Sequence, residues 1–313
     1  MKKVSLLLLC FCSINWIIVA QQVPQYTNYM HNYLALNPAL AGINECLNVK
    51  LGYRSQWMGF EGAPETTFAS FSSELKHKKL QTLRARHGIG GYIENDETGP
   101  LSRSTIYLAY AYHFPVGRNV TASVGVFGGI MQMGVDATKL NLRDPGDPVI
   151  DGTGRVFLIP DFSPGLFLNH DDWFVGYSIR QIMLNKWSRL LGSDLSRNRF
   201  HHYFVGGKRF KTDIFNVIPS GILKFVGYAP PAIDLNLMLE FSSRFELGVS
   251  WRNTDAIAAL MHIKFLKYFS LGYAFDMTTS KINTVSSNTH EFILGLSACP
   301  FNEKNTYICP VFQ

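Results

Sequence analysis

Between Ile233 and Phe275 apolar and polar side chains take turns along the chain. Ile233, Leu235, Leu237, Leu239 and Phe241 alternate with Asp234, Asn236, Met238 and Glu240. Phe245, Leu247, Val249 and Trp251 alternate with Glu246, Gly248, Ser250 and Arg252. Ile257, Ala259, Met261, Ile263 and Phe265, then Phe269, Leu271, Tyr273 and Phe275, continue the pattern. A period of two is the mark of strands with one apolar face. The four runs begin at 233, 245, 257 and 269, one every twelve residues. Each twelve holds a strand and a short turn, with Ser242–Ser243, Asn253–Thr254–Asp255 and Leu266–Lys267 at the turns. Such even spacing predicts an up-and-down antiparallel meander.

A soluble sandwich also alternates, so the faces have to decide. Strands of about 9–11 residues match a tilted bilayer crossing, and a lipid-facing surface is apolar with aromatic ends. Phe241, Phe245, Trp251, Phe265, Phe269 and Phe275 sit at strand ends on the apolar face. The other face carries Asp234, Glu240, Glu246, Arg252, Lys264, Asp276 and Glu291. No packed soluble core tolerates that set, whereas a barrel lumen does. The mixed signs favour a cross-strand ion network over an open channel lining.

The same template extends to fourteen strands, at 47–53, 66–75, 87–95, 101–114, 119–133, 155–168, 172–182, 199–210, 214–226, 232–241, 245–252, 256–265, 269–277 and 289–297. Links that follow odd strands are mostly long and links that follow even strands mostly short, with 76–86 the exception. Outer-membrane barrels have this asymmetry, with short periplasmic turns. The fold class expected is therefore all-β, a transmembrane antiparallel β-barrel of about 14 strands spanning 46–298.

The termini add three segments. Lys2, Lys3 and the apolar run Val4 to Val19 predict a signal peptide over 1–20. Residues 21–45 hold Tyr26, Tyr29, Met30, Tyr33, Leu36 and Leu40, too aromatic for a loose tail. This segment is expected to pack inside the barrel mouth or against a partner. Residues 299–313 form a periplasmic tail. No stretch after the signal reads as a membrane helix, since Ala256 to Phe275 is broken by His262, Lys264 and Lys267.

Charge and chemistry change little. The net charge of +6 is scattered, which excludes the concentrated basic face of a nucleic-acid binder. Charged residues are 17% of the chain, below the ~25% of soluble proteins, as suits a protein in contact with membrane lipid. Neither a catalytic motif nor a phosphate loop is present, so no enzyme and no cofactor are expected. Gly125, Gly128 and Gly129 fall mid-strand and relieve crowding, and adjacent His201 and His202 must point to opposite faces. Cys46, Cys299 and Cys309 follow the signal, without C-x-x-C or a nearby Cys–His pair for a metal. Cys46 opens the first strand and Cys299 closes the last, neighbours in a closed barrel. A bridge from Cys46 to Cys299 or Cys309, a local Cys299–Cys309 bridge, and three free thiols all stay open.

Two stretches carry a family likeness: Pro24 to Met30 followed by Asn37-Pro38-Ala39-Leu40-Ala41-Gly42, and Tyr53 to Thr66. The later half adds Trp251 to Ala256, Leu271 to Asp276, and His290-Glu291. Together they resemble the PorP/SprF family. The resemblance implies a non-enzymatic outer-membrane barrel of Bacteroidota serving type IX secretion. It implies partners among the secretion components, including a peptidoglycan-bound periplasmic protein. It also implies, for some members, the C-terminal domain of one secreted surface protein, such as a gliding adhesin. Gln56, Trp57 and Phe60, in the first outer connection, are the expected partner-binding residues, because aromatic side chains anchor interfaces; the alternative is that Trp57 and Phe60 fold back to cap the barrel. A passive diffusion porin is the competing reading.

Overall fold

The computed structural model describes residues 24–44, 46–75, 85–140, 155–183, 199–227, 229–241, 244–253 and 255–299. The expected signal peptide, most of the basic 76–86 link, Cys309 and nearly all of the tail lie outside the described residues.

Fifteen strands make up the wall: β1 (Asn48–Ser55), β2 (Glu65–Glu74), β3 (Arg86–Thr98), β4 (Leu101–Gly117), β5 (Val120–Val135), β6 (Arg155–His170), β7 (Trp173–Arg180), β8 (His201–Lys208), β9 (Phe210–Lys211), β10 (Asn216–Val226), β11 (Ala232–Phe241), β12 (Phe245–Arg252), β13 (Ala256–Phe265), β14 (Phe269–Thr278) and β15 (Thr289–Ser297). Neighbours pair antiparallel in chain order, except that β8 and β9 both pair with β10, and β1 pairs with β15 from Asn48↔Ser297 to Ser55↔His290, which closes the barrel. Closure removes every sheet edge, the condition for strands to cross hydrocarbon. Among the described residues no helix is long and apolar enough to cross a membrane.

All fourteen expected strands are present, with ends shifted by a few residues. The fifteenth, β9, continues β8. Gly207 faces Ser220 and Phe210 faces Val217 in one unbroken register. In that register Lys208 and Arg209, unpaired with β10, fall opposite Pro219 and Ile218, and Pro219 has no N–H to give the ladder. β4 and β5 run past their expected ends, with a register shift between Pro115 and Gly117.

Burial is inside out. Leu108 is 67% exposed, Leu158 65% and Val249 55%, all on the outer wall. Glu291, Arg54, Asp234, Asp276 and Glu240 are buried. Outer apolar side chains face lipid in a barrel of this kind, and the inner face is polar. His201 is buried while His202 meets Tyr177 on the other face, at 2.9 Å between Nδ1 and the hydroxyl. Cys46 and Cys299 are joined by a disulfide at the seam, their Cα atoms 5.8 Å apart.

The lumen is filled by residues 24–44. Short 3-10 turns at Tyr29–His31, Tyr33–Ala35 and Pro38–Leu40 fold this segment into a compact plug. Tyr26, Tyr29, Tyr33, Leu34, Ala39, Leu40 and Ala41 are all buried, packed on Phe68, Tyr92, Phe127 and Phe174 of the wall. Of the two placements the sequence allowed, packing inside the barrel is the one adopted. Two wall glycines make room for it. A Cβ on Gly125 would stand 2.5 Å from the Ala39 backbone, and one on Gly88 would stand 1.9 Å from the Ala41 carbonyl oxygen.

Candidate functional site: the latch between plug and wall

Five of the six residues of the Asn37–Gly42 stretch have a distinct physical task, and Leu40 is buried in the core beside them. The Asn37 amide donates to the carbonyls of Leu166 on β6 and Tyr177 on β7, at 2.9 and 3.2 Å. Its Oδ1 accepts from Ala39 N at 3.0 Å, which caps the turn that Pro38 begins. Ala39 and Ala41 are small enough to lie flat on the wall, and the Ala41 carbonyl accepts from Nε2 of His113 at 2.8 Å. Gly42 takes a φ of +66° close to Gly88, a conformation and an approach that only glycine allows. One side chain therefore ties two wall strands to the plug. Asn37→Ala is expected to cost about 1–3 kcal/mol by leaving buried backbone groups without their partner. A urea midpoint unchanged from wild type would contradict this.

At the other end of the plug, near the predicted outer mouth, lies a buried ionic cluster. Arg54 donates to Asp276 Oδ2 at 2.9 Å and to Glu291 Oε2 at 2.8 Å. Glu291 also accepts the backbone N–H groups of Thr27 and Asn28, at 2.8 and 3.0 Å. The Thr27 hydroxyl donates to Asp276 at 2.7 Å and receives Arg54 and Arg252 at 3.1 and 3.2 Å. Arg252 pairs with Asp234 at 3.3 Å, and Lys224 meets the same carboxylate at 2.7 Å. Asp255 adds a fourth carboxylate on Arg252 at 3.2 Å, so three cations face four carboxylates, and Arg54, Arg252, Asp276 and Glu291 meet at one threonine of the plug. Beside them the Tyr26 hydroxyl donates to Glu94 at 2.6 Å, and Glu94 also takes Tyr92 and Arg103. Buried charges are tolerated when paired and hydrogen-bonded in this way, and they fix geometry more than they add stability.

The lumen-facing charges expected from the sequence are therefore inside, as an ion network rather than a free channel lining. What the sequence did not reveal is that the network grips the N-terminal segment. Arg54, Arg252, Asp276 and Glu291 come from four stretches of the family likeness, and Thr27 comes from a fifth. The available signal was that each charged member sits at a strand end on the lumen side.

Gln56, Trp57 and Phe60 lie on the 56–64 connection above this latch. Gln56 N donates to Pro64 O at 2.9 Å and Trp57 N to the Thr289 hydroxyl at 3.1 Å. Met58 exchanges backbone hydrogen bonds with the 287–288 segment. Trp57, with φ at +53°, is half-buried, while Met58 and Phe60 are exposed at the tip. No ring contact joins Trp57 to Phe60 among the described residues. The connection is anchored next to the latch: Gln56 is two residues beyond Arg54, and Thr289 two before Glu291.

The fold has known counterparts. The toluene transporter TbuX of Ralstonia pickettii superposes with a TM-score of 0.52 at 11% identity, covering 87% of this chain and 94% of its own. The monoaromatic hydrocarbon channel CymD gives 0.54 at 9% identity, covering 91% and 96%. At that identity the likeness concerns the barrel alone. No curated protein matches the chain. The family model described as type IX secretion system membrane protein PorP/SprF matches residues 18–296, nearly the whole sequence. This plugged barrel is an outer-membrane protein and belongs to the PorP/SprF family.

Proposed function

We propose that the protein is a non-enzymatic docking barrel of the type IX system that engages a secreted partner and does not pass small solutes. The observation that carries this reading is the plug: residues 24–44 occupy the lumen and bond to the wall around its circumference. A diffusion porin needs a water-filled bore, and this lumen is filled by protein. Among the described residues, the connection 56–64 offers a partner a site on the outer side, with Met58 and Phe60 presented and Trp57 behind them. The partner is the C-terminal domain of a secreted surface protein, a gliding adhesin in gliding cells. A peptidoglycan-bound component of the machinery meets the periplasmic end. The two roles use opposite ends of the barrel and are compatible.

Tagged protein is expected to retrieve the cargo's C-terminal domain from detergent extracts. Trp57→Ala with Phe60→Ala should weaken retrieval roughly tenfold or more, as loss of an aromatic anchor does, while the barrel keeps its heat-modifiable gel band. Equal retrieval by wild type and double variant would remove the outer connection from the interface.

A further inference from the structure

Near the opposite, periplasmic end, three donor atoms converge with no hydrogen bond among them. His31 belongs to the plug, Glu246 is the second residue of β12, and His262 lies on β13. His31 Nε2 stands 3.6 Å from Glu246 Oε2, and His262 Nδ1 stands 3.5 Å from Glu246 Oε1. The ligating atoms all lie within 4.8 Å of one another. Both imidazole side chains are more than nine-tenths buried, and neither of these two nitrogens has a hydrogen-bond partner. Buried polar nitrogens are ordinarily satisfied, and two left open toward one carboxylate call for a reason.

We infer that His31, Glu246 and His262 form a divalent transition-metal site, of the zinc class, that staples the plug to the wall. Zinc bonds His nitrogen and carboxylate oxygen at about 2.0–2.2 Å, which in tetrahedral geometry sets donors roughly 3.3–3.5 Å apart. The two separations, 3.6 Å to Oε2 and 3.5 Å to Oε1, are close to that edge but reach different carboxylate oxygens, so Glu246 must turn to present one oxygen to the metal. Two imidazoles and one carboxylate suit Zn²⁺ and its first-row neighbours, and not Ca²⁺ or Mg²⁺, which prefer all-oxygen shells. The rings stack at 3.9 Å between centroids with their planes 10° apart, so their lone pairs lie in nearly parallel planes and one imidazole must swing out of the stack for both to reach a metal. Lys264 Nζ lies 3.5 Å from Glu246 Oε1 and competes with the metal for the carboxylate. Lys50 donates to the His31 carbonyl and adds a second positive charge nearby. The site is therefore one that Zn²⁺ enters by displacing an ammonium group. Nothing in the linear spacing signals it, since the ligands stand at positions 31, 246 and 262.

The test uses untagged full-length protein in detergent, stripped with chelator and then given Zn²⁺ alone. Wild type should retain one Zn²⁺ per chain through gel filtration, and His31→Ala and His262→Ala should each lose it. Lys264→Met should bind more tightly than wild type, an effect that a purely structural ion cluster does not produce. Co²⁺ in place of Zn²⁺ should give the visible absorption of a tetrahedral nitrogen–oxygen site, abolished in His31→Ala with the barrel still heat-modifiable. If wild type retains no metal, or the histidine variants retain it equally, the site does not exist.

Discussion

Protein lacking residues 24–44 is expected to conduct ions across a planar bilayer in discrete steps, whereas the intact chain stays closed. The reason is geometric. A barrel of about eight strands is filled by its own side chains, and one of about sixteen leaves an aqueous channel. This wall lies near the upper of those sizes, and the plug occupies its lumen. The inner face left behind would be Arg54, Asp234, Arg252, Asp276 and Glu291, all of which water solvates readily. The ladder that closes the wall does not involve the plug, so the truncated barrel should still fold and run as a heat-modifiable band. A folded truncation that is as silent as wild type would mean that something other than the plug closes the bore.

Arg54→Ala should be the most damaging single substitution of a charged residue. Arg54 is 1% exposed and holds two carboxylates. Its removal leaves Asp276 with Arg252 at 3.9 Å and Glu291 with only backbone N–H groups. Breaking a buried pair from one side costs about 3–5 kcal/mol, here because Asp276 and Glu291 keep hydrogen bonds from Thr27 and Asn28 but only the more distant Arg252 as a counter-charge. Neutralising those partners should return much of the loss, so Arg54→Met with Asp276→Asn and Glu291→Gln should unfold at higher urea than Arg54→Met alone. Arg54→Lys should rescue poorly, since a single ammonium cannot span two carboxylates and the Thr27 hydroxyl. A urea midpoint for Arg54→Ala within error of wild type would remove the latch from the account of stability.

How much of this could be read beforehand depends on distance along the chain. The wall was legible because lipid outside and charge inside impose a local alternation, repeated every twelve residues from 233 to 275. The break between β8 and β9 was not, because it depends on Pro219 lying across from Lys208 in another strand. The aromatic content of 24–44 marked it as a packed segment, but not its seat. That seat depends on pairings such as Thr27 with Glu291, 264 residues apart. The charged residues at 54, 252, 276 and 291 could be assigned to the lumen one at a time. Their convergence on one threonine needed the closed barrel, and so did that of the two histidines and Glu246.

The central claim, a docking barrel in secretion and not a solute pore, is tested most directly in a strain lacking the gene. Surface display of individual type IX cargo proteins and uptake of small solutes are measured side by side. The account predicts that at least one cargo disappears from the cell surface while uptake of small solutes is unchanged, and that the wild-type gene restores display. Normal display of every surface protein together with loss of permeability to a small solute would contradict it and establish the porin reading instead.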